Sequence, residues 1–118
     1  MDKDVGNIDL DSFGKILVTG SAGHLGDATV RRLRELRVAC LGADLLPSET
    51  TDVVLNLADR EAVRGLFEGS GVDGVLHMAT LHKPHVATHP RQRFIDTNLT
   101  ATLNLLEESV AAKVRAFV

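Results

Sequence analysis

Lys15-Ile-Leu-Val-Thr-Gly-Ser-Ala-Gly-His-Leu-Gly26 decides how the rest of the chain is read. A short apolar, β-branched run ends at Thr19, glycines recur at 20, 23 and 26, and a helical pattern begins at His24. Such a run, closed by glycine, reads as a buried strand. From His24 to about Leu36, Leu25, Ala28, Leu33 and Leu36 fall near helical spacing, and Arg31, Arg32 and Arg34 supply a wet face. The glycines have separate uses at this junction. Gly20 permits the sharp turn, Gly23 lets the backbone approach a pyrophosphate, and Gly26 lets helix and strand pack closely. Phosphates there meet free amides and the positive end of the helix dipole. A glycine triplet alone is weak evidence. Here a strand precedes it and a helix follows. Asp44 ends the next strand, about 20 residues on, where an acid can bind ribose hydroxyls. The alternative is a structural turn with an incidental acid.

Outward from this unit the pattern recurs. Residues 38–42 form a second apolar run, Asp52-Val-Val-Leu-Asn56 a third after Pro47 and Ser48, residues 73–79 a fourth, and residues 114–118 a fifth. Asp59 is placed to cap a helix carrying Ala62, Val63, Leu66 and Phe67, because its carboxylate can accept from first-turn amides. Gly69-Ser-Gly71 ends that helix. Pro84 and Pro90 prevent residues 82–90 from forming one continuous helix. From about Arg91, Ile95, Leu99, Leu103, Leu106 and Val110 step three or four apart and predict an amphipathic helix. The order β-α-β-β-α-β-α-β, with strands apolar throughout, predicts an α/β fold with a parallel sheet covered on both faces. The expectation is a Rossmann-type, doubly wound half with strand order 3-2-1-4-5, truncated at the fifth strand.

Composition narrows the functions. A chain of 118 residues is the size of one domain. With 44% hydrophobic and 25% charged residues it has an ordinary globular balance, which excludes a disordered tail or a disulfide scaffold. A formal charge of −3 offers nothing to nucleic acid or an anionic membrane. Cys40 is the only cysteine, so no intrachain disulfide forms and a cytoplasmic location is expected. No stretch approaches the roughly 18 consecutive apolar residues of a membrane span. The acidic residues 1–14, with Asp2, Asp4, Asp9 and Asp11, lack a signal-peptide pattern. They are expected to be a poorly ordered lead-in, with a cloning-derived extension as the alternative. The counts of Tyr and Trp are zero, so a tyrosine acid or base cannot come from these residues.

The glycine spacing, Asp44, Asn56-Leu57, Val75-Leu-His-Met-Ala79, the helix Asp96-Thr-Asn98-Leu-Thr-Ala-Thr102-Leu-Asn-Leu-Leu-Glu107 and Val114-Arg-Ala-Phe-Val118 follow one another in a specific order. Over residues 15–118 the chain resembles the N-terminal part of an extended short-chain dehydrogenase/reductase, the NAD-dependent epimerase/dehydratase family. The resemblance implies an NAD-binding domain over 15–118. Gly20, Gly23, His24 and Leu25 would line the pyrophosphate. Asp44 would hold the adenosine ribose and favour NAD over NADP, whose extra phosphate an acid repels. Asn56 and Leu57 would face the adenine. Met78, Ala79 and Thr80 would pass beneath the nicotinamide ribose, with His82 near it and Asn98 close to the nicotinamide end.

The chain departs from the family at three positions: His24 where an aromatic is usual, Asn56 where Asp is usual, and Ala101 for a common Gly. A Ser/Thr beyond the fifth strand and a Tyr-x-x-x-Lys motif are missing, so no catalytic residue is assigned. The resemblance therefore implies the NAD-binding portion of a sugar-nucleotide epimerase, dehydratase or related reductase, inactive alone. Its parent would act on a small molecule, a nucleotide sugar, and form a homo-oligomer. The alternative is a non-catalytic, NAD-responsive regulatory module.

Other residues tempt a functional reading. His82, His85 and His89, with His77 nearby, invite zinc, yet Pro84 interrupts them and no cysteine helps. A loop at the mouth of the site is the preferred reading, and no metal is assigned. His77 reads as a satisfied structural histidine, Cys40 as a core residue, and Asn98-Leu-Thr100 as an unused glycosylation acceptor.

Overall fold

The apolar runs become five parallel strands of one sheet, β1 (Ile16–Thr19), β2 (Cys40–Asp44), β3 (Val53–Val54), β4 (Gly74–His77) and β5 (Ala116–Phe117), in the order 3-2-1-4-5. The structure, a computed structural model, describes residues 12–118 and, before them, only the backbone of Asp4–Val5 and Ile8–Asp9, which pair antiparallel. The expected lead-in over 1–14 therefore lies largely outside the described residues. Its last two residues are tied to the body. Phe13 lies under the Arg115 guanidinium at 4.5 Å, and the Gly14 amide donates to Asp73 at 2.8 Å.

Pleating divides β1 between two cores, as alternation of side chains demands. Ile16 and Val18 pack with Val30, Leu33 and Val38 beneath α1 (His24–Glu35). Leu17 packs on the other face with Ala43, Val75 and the buried residues of α2 (Arg60–Phe67) and α4 (Ala101–Ala111). Asp59 caps α2, accepting from Glu61 and Ala62 amides at 3.1 and 3.3 Å. The register sets Thr19 level with Ala43 and His77, so the central strands end on a common rim. In open α/β sheets the strand order reverses at such a rim, here between β1 and β4, and ligands bind there.

Three expectations change. The second and fifth strands begin two residues later than the apolar runs at 38 and 114. In each case the run's first residue closes the preceding helix: the Val38 amide donates to Leu33 carbonyl and the Val114 amide to Ser109 carbonyl, both at 2.9 Å. Arg37 and Lys113 take positive φ of 57° just before them. This is the Schellman ending, with a left-handed residue ahead of an apolar one. The long helix is likewise not uniform. It runs as α3 (Arg91–Ile95), a π-helical stretch at Asp96–Thr100, and α4. Its regular apolar stripe faces outward: Leu99 and Val110 are 59% and 79% exposed. The buried side is instead Ala101, Asn104, Leu105, Glu108 and Ser109. Asn104 donates to the Leu57 carbonyl at 2.9 Å, and Glu108 meets Arg60 at 3.1 Å, so polar partners on α2 and its entry loop select that face.

Candidate functional site

A cleft of about 620 Å3 opens on the rim between β1 and β4, within the range of small-molecule sites. Its floor is the glycine loop. Gly20 has φ +72°, and a Cβ there would lie 2.8 Å from the backbone of Met78 and Ala79. A Cβ on Gly26 would land on the Gly20 carbonyl. The Gly23 amide donates to the Gly20 carbonyl at 3.0 Å, and the Asp27 amide to the Gly23 carbonyl at 2.9 Å, which starts α1. The first amides of a helix have no carbonyl within it and remain available to an anion.

The loop after β2 braces this floor. Ser21 Oγ and Thr51 Oγ1 are 2.8 Å apart. The buried Thr50 hydroxyl lies 2.7 Å from the Ser21 carbonyl and 2.8 Å from Asp27 Oδ1, with one proton to share between them. Hydrogen bonds from Arg31 and then Thr50 hold the Asp27 carboxyl below the usual carboxylate range. Asp44, at the end of β2, accepts from the Ala22 amide on Oδ2 and the Leu46 amide on Oδ1, both at 2.9 Å. The acid is thereby oriented by the glycine loop itself. Asn56 Oδ1 accepts from the Ala58 amide at 3.0 Å and shapes the turn after β3.

Beyond β4 the other wall is held by a chain of side chains. Thr19 Oγ1 accepts from the Met78 and Ala79 amides at 2.9 and 3.1 Å and lies 2.7 Å from His77 Nδ1. Thr102 donates to the Asn98 carbonyl, so it accepts from His77 Nε2–H at 2.8 Å. His77 Nδ1 then accepts the Thr19 proton, which satisfies both ring nitrogens in the neutral form. Burial pushes the His77 imidazole below its ordinary value. Asn98 clamps Leu81 from both sides, accepting its amide on Oδ1 and donating to its carbonyl from Nδ2, each at 2.8 Å.

The structure brings Gly20, Gly23, Asp44, Asn56, Leu57, Met78, Ala79 and Thr80 together on the cleft wall. His24, Leu25, His82 and Asn98 do not line it. His24, Leu25 and His82 are exposed, and the Asn98 side chain is spent on Leu81 behind the wall. Sequence reasoning put the loop of His82, His85 and His89 at the mouth of the site, and His85 and His89 do line the cleft; it missed Leu45, Leu46, Arg93 and Asp96, which line it too. Four-residue spacing of His85, His89 and Arg93 was the available signal. Among the described residues, no group of three His, Cys, Asp or Glu is placed to hold a metal ion, and no helix is long and apolar enough to cross a membrane. Burial raises the Cys40 thiol, which sits against the α1 core.

A family model described as the NAD dependent epimerase/dehydratase family matches residues 16–118. The chain is similar to a UDP-glucose 4-epimerase of Erwinia amylovora, 29% identical, covering 87% of this chain and 35% of the relative. It is similar also to a dTDP-glucose 4,6-dehydratase of Neisseria meningitidis serogroup B, 33% identical, covering 82% and 32%. A short-chain dehydrogenase/reductase superfamily protein from Agrobacterium tumefaciens, solved with bound NAD, superposes with a TM-score of 0.75. That protein is 37% identical, over 87% of this chain and 31% of its own. The chain thus spans about a third of the length of these relatives.

Proposed function

Because the chain belongs to the NAD dependent epimerase/dehydratase family, we propose that its cleft binds NAD as part of a longer epimerase, dehydratase or related reductase acting on a sugar nucleotide. The carrying observation is the bond from the Ala22 amide to Asp44, which ties the phosphate-binding loop to a ribose-binding acid. The donor set fits the dinucleotide. Gly20 and Gly23 leave room for a pyrophosphate at the start of α1, and Leu57 and Asn56 border the adenine end. Asp44 accepts from two ribose hydroxyls and repels a 2′-phosphate. Met78, Ala79 and Thr80 support the nicotinamide ribose, and Thr19 and Asn98 hold that wall in place.

When bound, the nicotinamide ring supplies a hydride acceptor for a substrate carbinol. The family resemblance gives the carbinol proton to a tyrosine, and none of the 118 residues is one, so this reading takes that group from the remainder of the enzyme. The second reading is an NAD-responsive module without turnover. Dehydrogenase or epimerase assays on the longest native polypeptide separate the two. The exposed Leu99, Leu103, Leu106 and Val110 on the long helix support a homo-oligomer, and the single Cys40 supports a cytoplasmic setting.

Calorimetric titration tests the cofactor assignment. NAD is expected to bind more tightly than NADP, and Asp44→Ala to weaken NAD by about tenfold and narrow the gap, the size of a lost charge-assisted hydrogen bond. NADP binding more tightly than NAD to the parent protein would overturn it.

A further inference from the structure

We propose that the cleft also takes a substrate bearing a small anionic group, a carboxylate or a phosphate, on His85, His89 and Arg93; this rests on the dinucleotide occupying the glycine-loop end. The three residues stand four apart on one winding segment. The His85 amide donates to the His82 carbonyl at 2.8 Å, the His89 amide to His85 at 2.9 Å, and the Arg93 amide to Pro90 at 3.0 Å. The segment is a 3-10 turn and further turns up to Pro90 and a helix from Arg91, and it brings all three onto the cleft wall. Their neighbours His82, Lys83 and Arg91 do not line it.

The chemistry of the trio is that of anion capture. His85 Nδ1 accepts the His82 amide at 3.0 Å, so the neutral ring keeps its proton on Nε2 and has a donor left to offer. The rings of His85 and His89 meet edge to face at 5.2 Å, which holds two half-buried imidazoles side by side. Arg93 is the decisive member. Arg31, Arg32, Arg34, Arg60, Arg64 and Arg115 each meet a carboxylate, whereas Arg93 forms no ion pair among the described residues. The carboxylates that share the cleft, Asp44 and Asp96, form no ion pair with Arg93 and accept from neutral donors. Asp96 accepts from Gln92 at 2.9 Å, and Asp44 accepts from the Ala22 and Leu46 amides at the far end of the cleft. A guanidinium left without a counter-ion in a concave site matches a bidentate oxyanion. The trio follows directly on the Met78–Leu81 wall that Asn98 pins, so the anion would sit beyond the nicotinamide end and away from Asp44.

Calorimetry on the protein with and without NAD, using glucuronate, glucose 6-phosphate and glucose, tests the site. At least one of the two anions is expected to bind about tenfold or more tightly than glucose, the range of a hydrogen bond to a charged group. Preference for glucuronate marks a carboxylate site, and preference for glucose 6-phosphate a phosphate site. Arg93→Gln, an exposed position whose folding is checked by thermal melting, should collapse the preference over glucose, and His89→Gln should reduce it. Glucose binding as well as both anions, no binding of either anion, or an unchanged preference in Arg93→Gln would each overturn the proposal. The two readings fail separately. Anion preference without NAD binding sinks the cofactor assignment alone, and NAD binding without anion preference sinks this site alone.

Discussion

The glycine loop at residues 19–26 and the histidine segment at residues 80–97 line the same cleft, but they are built by opposite means. Backbone makes the first. Gly20 holds a left-handed φ against the Met78–Ala79 peptide, Gly26 touches the Gly20 carbonyl, and Asp44 is steered by an amide of the loop. Side chains make the second. Asn98 pins Leu81, His85 takes an amide of His82, and Gln92 holds Asp96. A wall of backbone admits few substitutions, because a Cβ there has nowhere to go. A wall of side chains can change its chemistry while the peptide path survives. The difference suits the proposed division of the cleft between a cofactor end and a substrate end.

Substitutions that attack each wall in turn should rank accordingly. Gly20→Ala breaks the backbone wall by adding a Cβ at positive φ within 2.8 Å of Met78 and Ala79. Overpacking and left-handed strain together should cost roughly 3 kcal/mol, read from the urea unfolding midpoint, and NAD binding should fall with it. Thr19→Val acts where the two walls join. It strands the Met78 and Ala79 amides and should cost about 2 kcal/mol, with Thr19→Ser recovering most of the loss. Asn98→Ala loosens only the far wall. A destabilisation near 1 kcal/mol is expected, with faster exchange of the Leu81 amide and protection in β1 unchanged.

Acid should sharpen the comparison, because His77 connects the walls in its neutral form. Its native pKa lies below the ordinary value, so the unfolded chain binds more protons just beneath about pH 6.5. Its contribution is complete above that pH and is lost as the pH falls toward the native pKa. Chemical unfolding between about pH 7 and 5 should show this slope, and His77→Gln should flatten it. The smallest effect belongs to His82→Ala, an exposed ring outside the cleft. Its stability should stay within about 0.5 kcal/mol of the parent, and a larger loss would mean that its edge contact with His85 at 4.7 Å organises the segment.

Legibility followed the same division. Glycines at 20, 23 and 26 speak for themselves, since their use depends on the absence of a side chain. Asp59 before a helix is local in the same sense, and it caps α2 as its position predicts. The ends of α1 and α4 were not legible. Arg37 and Lys113 adopt the left-handed conformation usually signalled by glycine, so the apolar runs behind them looked like strand. The stripe from Ile95 to Val110 misled for another reason. Periodicity reveals that a helix has an apolar face, but the partner that buries a face lies elsewhere in the chain. Here Leu57 and Arg60 draw Asn104 and Glu108 inward. His85, His89 and Arg93 were visible as a spacing, yet only a shared cleft gives that spacing a meaning.

From residue order alone came the alternation of strands and helices, the parallel sheet with its 3-2-1-4-5 order, the glycine turn and the acid after β2. The elements, the turn and the acid rest on local preference, pleat and helical period, and the sheet order on the few topologies that right-handed crossovers between successive strands allow. The tertiary structure decided which side of α4 is buried, where two helices stop, and how Thr19, His77, Thr102 and Asn98 join across the sheet. It also decided which basic side chain lies in the cleft without a carboxylate. Such outcomes depend on pairings between residues far apart in sequence, where the energy of each group is set by what the fold brings beside it.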